Sequence, residues 1–176
     1  MKNFYLYIIF SLFYTYKLKN LLVIDVLSVT VFYIIRMIGG AYSITFNISI
    51  WLYVLTFLSS IFIIFIKRTS EATNGNYRQQ NIVIFYNNLS QNKIRIILLL
   101  LNIISYLTYS IVEIATNQRN FIFIVSGLFF SIGIIRYFYI TKNNNSGESP
   151  ETIVTKDIFL QILVCLFLVS IFWSEL

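Results

Sequence analysis

The polar residues of this chain come in short bursts between long apolar runs. Six runs stand out: Phe4–Tyr16, Leu21–Ser43, Ile48–Ile66, Ile94–Ala115, Phe121–Ile140 and Ile158–Trp173. A helix needs about 20 residues to cross the hydrocarbon of a bilayer. The four middle runs fit that length, while the first is short and the last slightly so. Each run is continuous rather than alternating, which predicts helices and not the strands of a barrel. The single proline, Pro150, falls in "KNNNSGESPE", which reads as a polar, turn-rich loop. The first run has the length of a signal peptide core. It lacks a small-residue cleavage site and closes on "YTYKLK", so it is read as a span. The expectation is an all-α, polytopic membrane bundle of about six transmembrane helices, with residues 1–176 as one transmembrane domain.

Composition agrees. The chain is 58% hydrophobic and only 11% charged, with a mean hydropathy of +0.78. A soluble domain carries about 25% charged residues, so here too little polar surface exists to cover a globule in water. The absence of His removes the commonest general base and metal ligand. Cys165 is the only cysteine and sits inside an apolar run, so neither a disulfide nor a zinc cluster is available. The net charge of +6 does not point to nucleic acid, because the cations sit at span boundaries rather than on one soluble face.

Those cations set an orientation. Lys17, Lys19, Lys67, Arg68, Arg78, Lys93, Arg95, Lys142 and Lys156 fall in alternate links, against Lys2 and Arg119 on the other side. An excess of Lys and Arg marks the cytoplasmic side, so both ends of this chain are expected outside. Asp25, Arg136 and Asp157 then fall near the same inner face, with Glu71, Glu148 and Glu151. Asp157 is placed to cap a helix. Two readings stand side by side. Arginine and lysine grip phosphate oxygens while carboxylates hold a hard divalent cation bridging them, which makes a metal-assisted phosphate site. Alternatively Lys17, Lys19, Lys67, Arg68, Lys93 and Arg95 are topology anchors, with Lys67 and Glu71 a helix-surface ion pair. Arg36 and Glu113, toward the outer ends of their runs, are expected to pair with each other. "MIGGAY" suggests close helix approach, and Trp51 and Tyr53 suggest an interfacial aromatic belt. Among three N-x-S sequons, at Asn47, Asn88 and Asn144, two would be cytoplasmic, so they read as chance.

The order of these features carries a resemblance. "YTYKLKNLLVIDVLSVTVFYIIRMIGGAYSITFNISIWLYVLTFLSSIFIIFIKRTSE" resembles the C-terminal two-thirds of the UbiA-type prenyltransferase family, and within it the decaprenyl-phosphate phosphoribosyltransferase branch. The matching positions are Tyr14, Leu18, Lys19, Asp25, Arg36, Gly40, Ser49, Trp51, Leu52, Lys67, Arg68 and Glu71. "IRYFYITKNNNSGESPETIVTKDIFLQ" adds Arg136, Tyr137, Gly147, Pro150, Glu151, Asp157 and Leu160. Ile66 stands where that branch has a glycine.

The resemblance implies a nine-helix membrane enzyme with a polar cavity open to the cytoplasm, in a bacterial-type inner membrane. It implies magnesium as cofactor, phosphoribosyl pyrophosphate as donor and a polyprenyl phosphate as acceptor. Tyr14, Lys19, Asp25, Lys67, Arg68 and Arg136 would bind substrate or diphosphate, and Glu71 and Asp157 the metal. The alternative within the fold moves a prenyl group from a prenyl diphosphate to an aromatic or other acceptor. A different class altogether is a noncatalytic membrane scaffold, or a small transporter using Asp25, Arg36, Glu113 and Arg136. The family's first three helices, with an N-D-x-x-D-type motif, have no counterpart in this sequence. Six spans with an outer N-terminus is the remainder of nine once three are removed. That topology agrees with an N-terminal truncation, a split gene with a separate N-terminal helical partner, or a specialised short homologue, so an incomplete or inactive form is expected.

Overall fold

A computed structural model describes residues 22–43, 49–74, 90–116, 119–144 and 147–175. The described residues form six helices and no strand. They are α1 (Leu22–Ser43), α2 (Ile50–Thr73), α3 (Gln91–Ala115), α4 (Phe123–Asn144), α5 (Pro150–Lys156) and α6 (Ile158–Trp173). The first four are long and apolar enough to cross a membrane. The short α5 meets α6 at 90°, and the pair makes a fifth span if counted as one. The all-helical, polytopic expectation holds, and the expected span Phe4–Tyr16 lies outside the described residues.

Consecutive spans pack on one another: α1 on α2, α2 on α3, α3 on α4, and α4 on α6, with α5 against α6. Consecutive helices that run antiparallel bring alternate ends together. One end of the bundle therefore collects the start of α1, the end of α2, the start of α3, the end of α4, and the turn into α6. Near that end Phe62, Ile66, Leu99, Tyr137, Ile153 and Leu160 pack as one cluster drawn from α2 to α6. In the other half of the bundle Tyr106 stacks on Phe130 at 4.6 Å between ring centres and lies 5.8 Å from Phe167, which ties α3 to α4 and α6.

The burial pattern is that of a protein dissolved in lipid. Large apolar side chains such as Leu100, Ile104, Ile111, Ile162 and Val169 face outward. Small polar residues fill the helix interfaces instead: Thr30, Ser110, Ser126 and Thr141 have no exposed surface. Each hands its hydroxyl back to a carbonyl of its own helix, at 2.9 Å for Thr30 to Val26 and 3.0 Å for Thr141 to Tyr137. This lets backbones approach closely with no polar atom left facing hydrocarbon. Asn102 does more. Its Oδ1 accepts from Ser59 at 2.8 Å, and its amide donates to Leu98 and, across the interface, to the Leu58 carbonyl at 3.2 Å.

Four expectations change. The run ending at Ile66 continues as helix for two more turns, so Lys67, Arg68 and Glu71 lie on α2 and not in a loop. Hydropathy cannot follow a helix into the interface, where its residues turn polar. Pro150 is not in a loop but in the first turn of α5, where its missing N–H costs nothing. A Cβ on Gly39 or Gly40 would meet no atom within 4 Å, so "MIGGAY" is not a close approach in the described structure. Tight contacts lie instead at Gly127, where a Cβ would be 3.2 Å from Leu107 Cδ2, and more closely at Gly147, where it would be 2.7 Å from Ile66 Cγ2. Finally, no ion pair joins Arg36 to Glu113 among the described residues.

Candidate functional site

The charged residues gathered at one end are held in two groups. In the first, Asp25 in the opening turn of α1 is 2% exposed. Arg68, in the closing turns of α2, reaches it across the helix interface. Arg68 Nη2 donates to Asp25 Oδ1 at 3.0 Å. Its Nε lies 2.5 Å from Oδ2, but off the N–H axis, so that second contact is ionic rather than a hydrogen bond. The same guanidinium donates from Nη1 to Glu71 Oε2 at 2.7 Å. One cation thus sits between two carboxylates, and it fixes the start of α1 against the end of α2. Lys67 is not the partner of Glu71. The three-residue spacing from Arg68 wins, because the fork of Arg68 is already anchored beside it on Asp25.

In the second group Arg136, near the end of α4, donates to Asp157 Oδ2 from Nη2 at 2.8 Å and from Nε at 3.3 Å. Asp157 stands in the break between α5 and α6, and its other oxygen accepts the Leu160 N–H at 2.8 Å, capping α6. The cap expected from the sequence is therefore present. The Arg136 hydrogen bond, and after it the Leu160 N–H, hold the Asp157 carboxyl below the usual carboxylate range. Beside these groups Asn74 Nδ2, at the end of α2, donates to Glu148 Oε1 at 2.6 Å. Gly147 packs so closely on Ile66 and Ser70 that a Cβ there would lie 3.2 Å from the Ile66 carbonyl oxygen.

Of the residues expected in a site, Asp25, Arg68 and Glu71 meet directly, and Arg136 and Asp157 meet as a second pair. Lys67, half-buried on α2, makes no ion pair among the described residues. Tyr14 and Lys19 lie outside the described residues. Two further buried polar side chains stand outside those groups. Arg95, taken as a boundary cation, is only 5% exposed and donates from Nη2 to the Thr69 hydroxyl. Asn102 was signalled only by being a lone amide in "LLLLNII".

Among the described residues no three His, Cys, Asp or Glu side chains converge. Glu71 and Asp157 belong to different ion-pair groups, and each already holds a guanidinium. A magnesium ion on either would have to share its carboxylate with a guanidinium and would find no second carboxylate converging on it, so the pair does not fit a resident ion in this arrangement.

An apolar cavity of about 340 Å³ opens between α2, α4, α5 and α6. Phe62, Phe130, Tyr137, Leu160 and Phe167 line it, and Ser59 is its one hydroxyl other than Tyr137. It begins at Val154 and Leu160, beside the Arg136–Asp157 pair in the chain, and continues to Leu168.

Fold and site together define a polytopic helical membrane protein with an ion-paired polar end above an apolar chamber. The chain matches no protein-family model and none of the curated proteins with which it was compared.

Proposed function

We propose that this chain is a UbiA-type membrane transferase of the phosphoribosyl branch, working with a separate N-terminal helical partner. It would move 5-phosphoribose from phosphoribosyl pyrophosphate to a polyprenyl phosphate. An oxygen of the lipid phosphate attacks the anomeric carbon, the bond from that carbon to the diphosphate breaks, and pyrophosphate leaves. One observation carries the reading. The described positions that the resemblance assigns to substrate (Asp25, Lys67, Arg68 and Arg136) or to metal (Glu71 and Asp157) are far apart in sequence yet share one end of the bundle.

In this reading Lys67 is the cation most ready for the diphosphate. Arg68 and Arg136 would exchange a carboxylate for a phosphate oxygen, a like-for-like bidentate partner. The apolar chamber beside Tyr137 and Leu160 suits isoprenoid units, which need no polar contact. The polar end faces the cytoplasm of a bacterial-type inner membrane, in keeping with the cation asymmetry. The partner supplies the N-D-x-x-D motif, which this sequence cannot form from its two aspartates, Asp25 and Asp157.

The test is a product assay on chain and partner co-expressed in membranes, fed phosphoribosyl pyrophosphate or prenyl diphosphate. The reading expects pyrophosphate and a phosphoribosylated lipid from the first donor. Product from prenyl diphosphate alone would instead make the protein a prenyltransferase. A second reading, a noncatalytic scaffold, is favoured by the carboxylates already seated on Arg68 and Arg136. It expects no product from either donor.

A further inference from the structure

In a close-packed interior a space much larger than a water molecule is costly, because the atoms around it lose their contacts. The chamber of about 340 Å³ is such a space. It is the gap left where α2 packs on α1 and α3 while α6 packs on α4 and α5. At the polar end Phe62, Tyr137 and Leu160 of its wall join the buried Ile66 and Ile153 in one cluster, which closes it there. Along α6 the lining runs from the buried Leu160 and Leu163 to Val164 and Leu168, which are 46% and 58% exposed. The chamber therefore opens sideways near the middle of α6, toward the hydrocarbon of the bilayer.

Its lining excludes water and polar ligands. Ser59 already donates its hydroxyl to Asn102 Oδ1 at 2.8 Å, and the Tyr137 hydroxyl is buried in the protein. An apolar cavity of about 150 Å³ stays dry and accepts a small hydrocarbon, and this one is about twice that size. A second, independent sign comes from α4. Glycine is the poorest helix former short of proline, yet α4 carries Gly127 and Gly133 in its interior. Gly127 is accounted for by its close contact with Leu107. Gly133 lines the chamber, and a Cβ there would meet no atom within 4 Å. The wall thus forgoes even a methyl group at a point where one would fit.

We propose that the chamber is a structural lipid site, in which one acyl chain of a bilayer phospholipid enters past Val164 and Leu168 and lies across α4 at Gly133. In a membrane the chain gains nothing by leaving water, since hydrocarbon also surrounds the mouth. It gains dispersion contacts with the rings of Phe62, Phe130 and Phe167 instead, and it props α2 apart from α6. With no polar atom to select a ligand, occupancy follows abundance at the mouth, and the bilayer's own acyl chains are the most abundant hydrocarbon there. The site goes beyond the transferase reading and does not depend on it. In that reading the acceptor is also held by its phosphate, which lets its isoprenoid chain displace the acyl chain.

The experiment places the purified full chain in phosphatidylcholine nanodiscs doped with phosphatidylcholine that carries a photoreactive diazirine midway along one acyl chain. After illumination the labelled positions are mapped by mass spectrometry. Adducts are expected on Phe62 and Leu163, which at 1% and 5% exposure are out of reach of lipid around the bundle, as well as on outward residues such as Leu100 and Ile104. Gly133→Leu should cut the chamber adducts about tenfold, because its side chain takes the place of the acyl chain, and should leave the outward adducts unchanged. Gly40→Leu, at an exposed glycine outside the chamber, should change neither. If Gly133→Leu fails to fold, Gly133→Ala decides the matter with a loss of about threefold. No adduct on Phe62 or Leu163, or equal labelling of them in a folded Gly133 variant, overturns the site. So does loss of those adducts to a trace of farnesol, which would make the chamber selective for isoprenoids. The readout is labelling and not transfer, so failure here leaves the transferase reading standing.

Discussion

Burying Asp25 takes a carboxylate out of water at the edge of an apolar run, and both its oxygens face the Arg68 guanidinium. Removing one member of a buried pair costs far more than the pair contributes, because the other charge is stranded. Arg68→Ala should therefore destabilise the bundle by about 3 kcal/mol. Glu71→Ala, which deletes a partly exposed partner three residues away, should cost under about 1 kcal/mol. Unfolding in mixed detergent micelles checks the ordering, and equal losses would contradict it. Gly147→Ala tests a different force. Its added Cβ meets Ile66 Cγ2 at 2.7 Å, close to the fully buried Ser70, and overpacking of this kind costs about 1–3 kcal/mol. The same assay should show that loss while Gly39→Ala, in open space, shows none. At this scale the sequence revealed which charges were costly but not which partners they would take. Asp25 plainly needed a cation, yet the choice of Arg68 over Lys67 depends on how α1 crosses α2. Arg95 looked like any boundary cation, because sequence cannot see that no carboxylate comes near it.

Among the elements, the apolar runs gave the centres of α1 to α4 and α6 and erred where polarity and helicity part company. The end of α2 and all of α5 are polar turns of helix that hydropathy reads as loop. The 90° break between α5 and α6 depends on Asp157, which accepts from Leu160 and from Arg136 together. Asp157→Ala should lose about 1 kcal/mol of capping and speed amide exchange at Leu160, with Asp157→Asn intermediate. Exchange followed residue by residue in nanodiscs reads this, and unchanged protection in Asp157→Ala would refute it. The sign with pH follows from the depressed carboxyl. Its contribution is present above the ordinary, unfolded carboxylate range and disappears as pH falls through the lower folded value. Protection at Leu160 should thus persist through mild acid and fail only in stronger acid.

For the molecule as a whole, the membrane class was legible from composition alone, since 11% charge cannot cover a bundle in water. The gathering of ionisable groups at one end was legible too, because alternate links of an antiparallel bundle must share a side. Orientation is the next consequence. With Cys165→Ser as background, a membrane-impermeant thiol reagent should label Lys142→Cys only from the cytoplasm and Asn120→Cys only from outside. The opposite labelling would invert the proposed active face. What the pattern of runs could not carry is chemistry, which depends on whether the paired arginines release their carboxylates for a stronger anion.

That exchange is measurable directly. Radiolabelled phosphoribosyl pyrophosphate with magnesium can be equilibrated with the purified chain in nanodiscs, with and without a partner carrying the N-D-x-x-D segment. The proposal predicts saturable binding that is strengthened by the partner and weakened about tenfold by Arg136→Gln, as for a lost charge-assisted hydrogen bond. No binding in either preparation, or binding indifferent to Arg136, would contradict it.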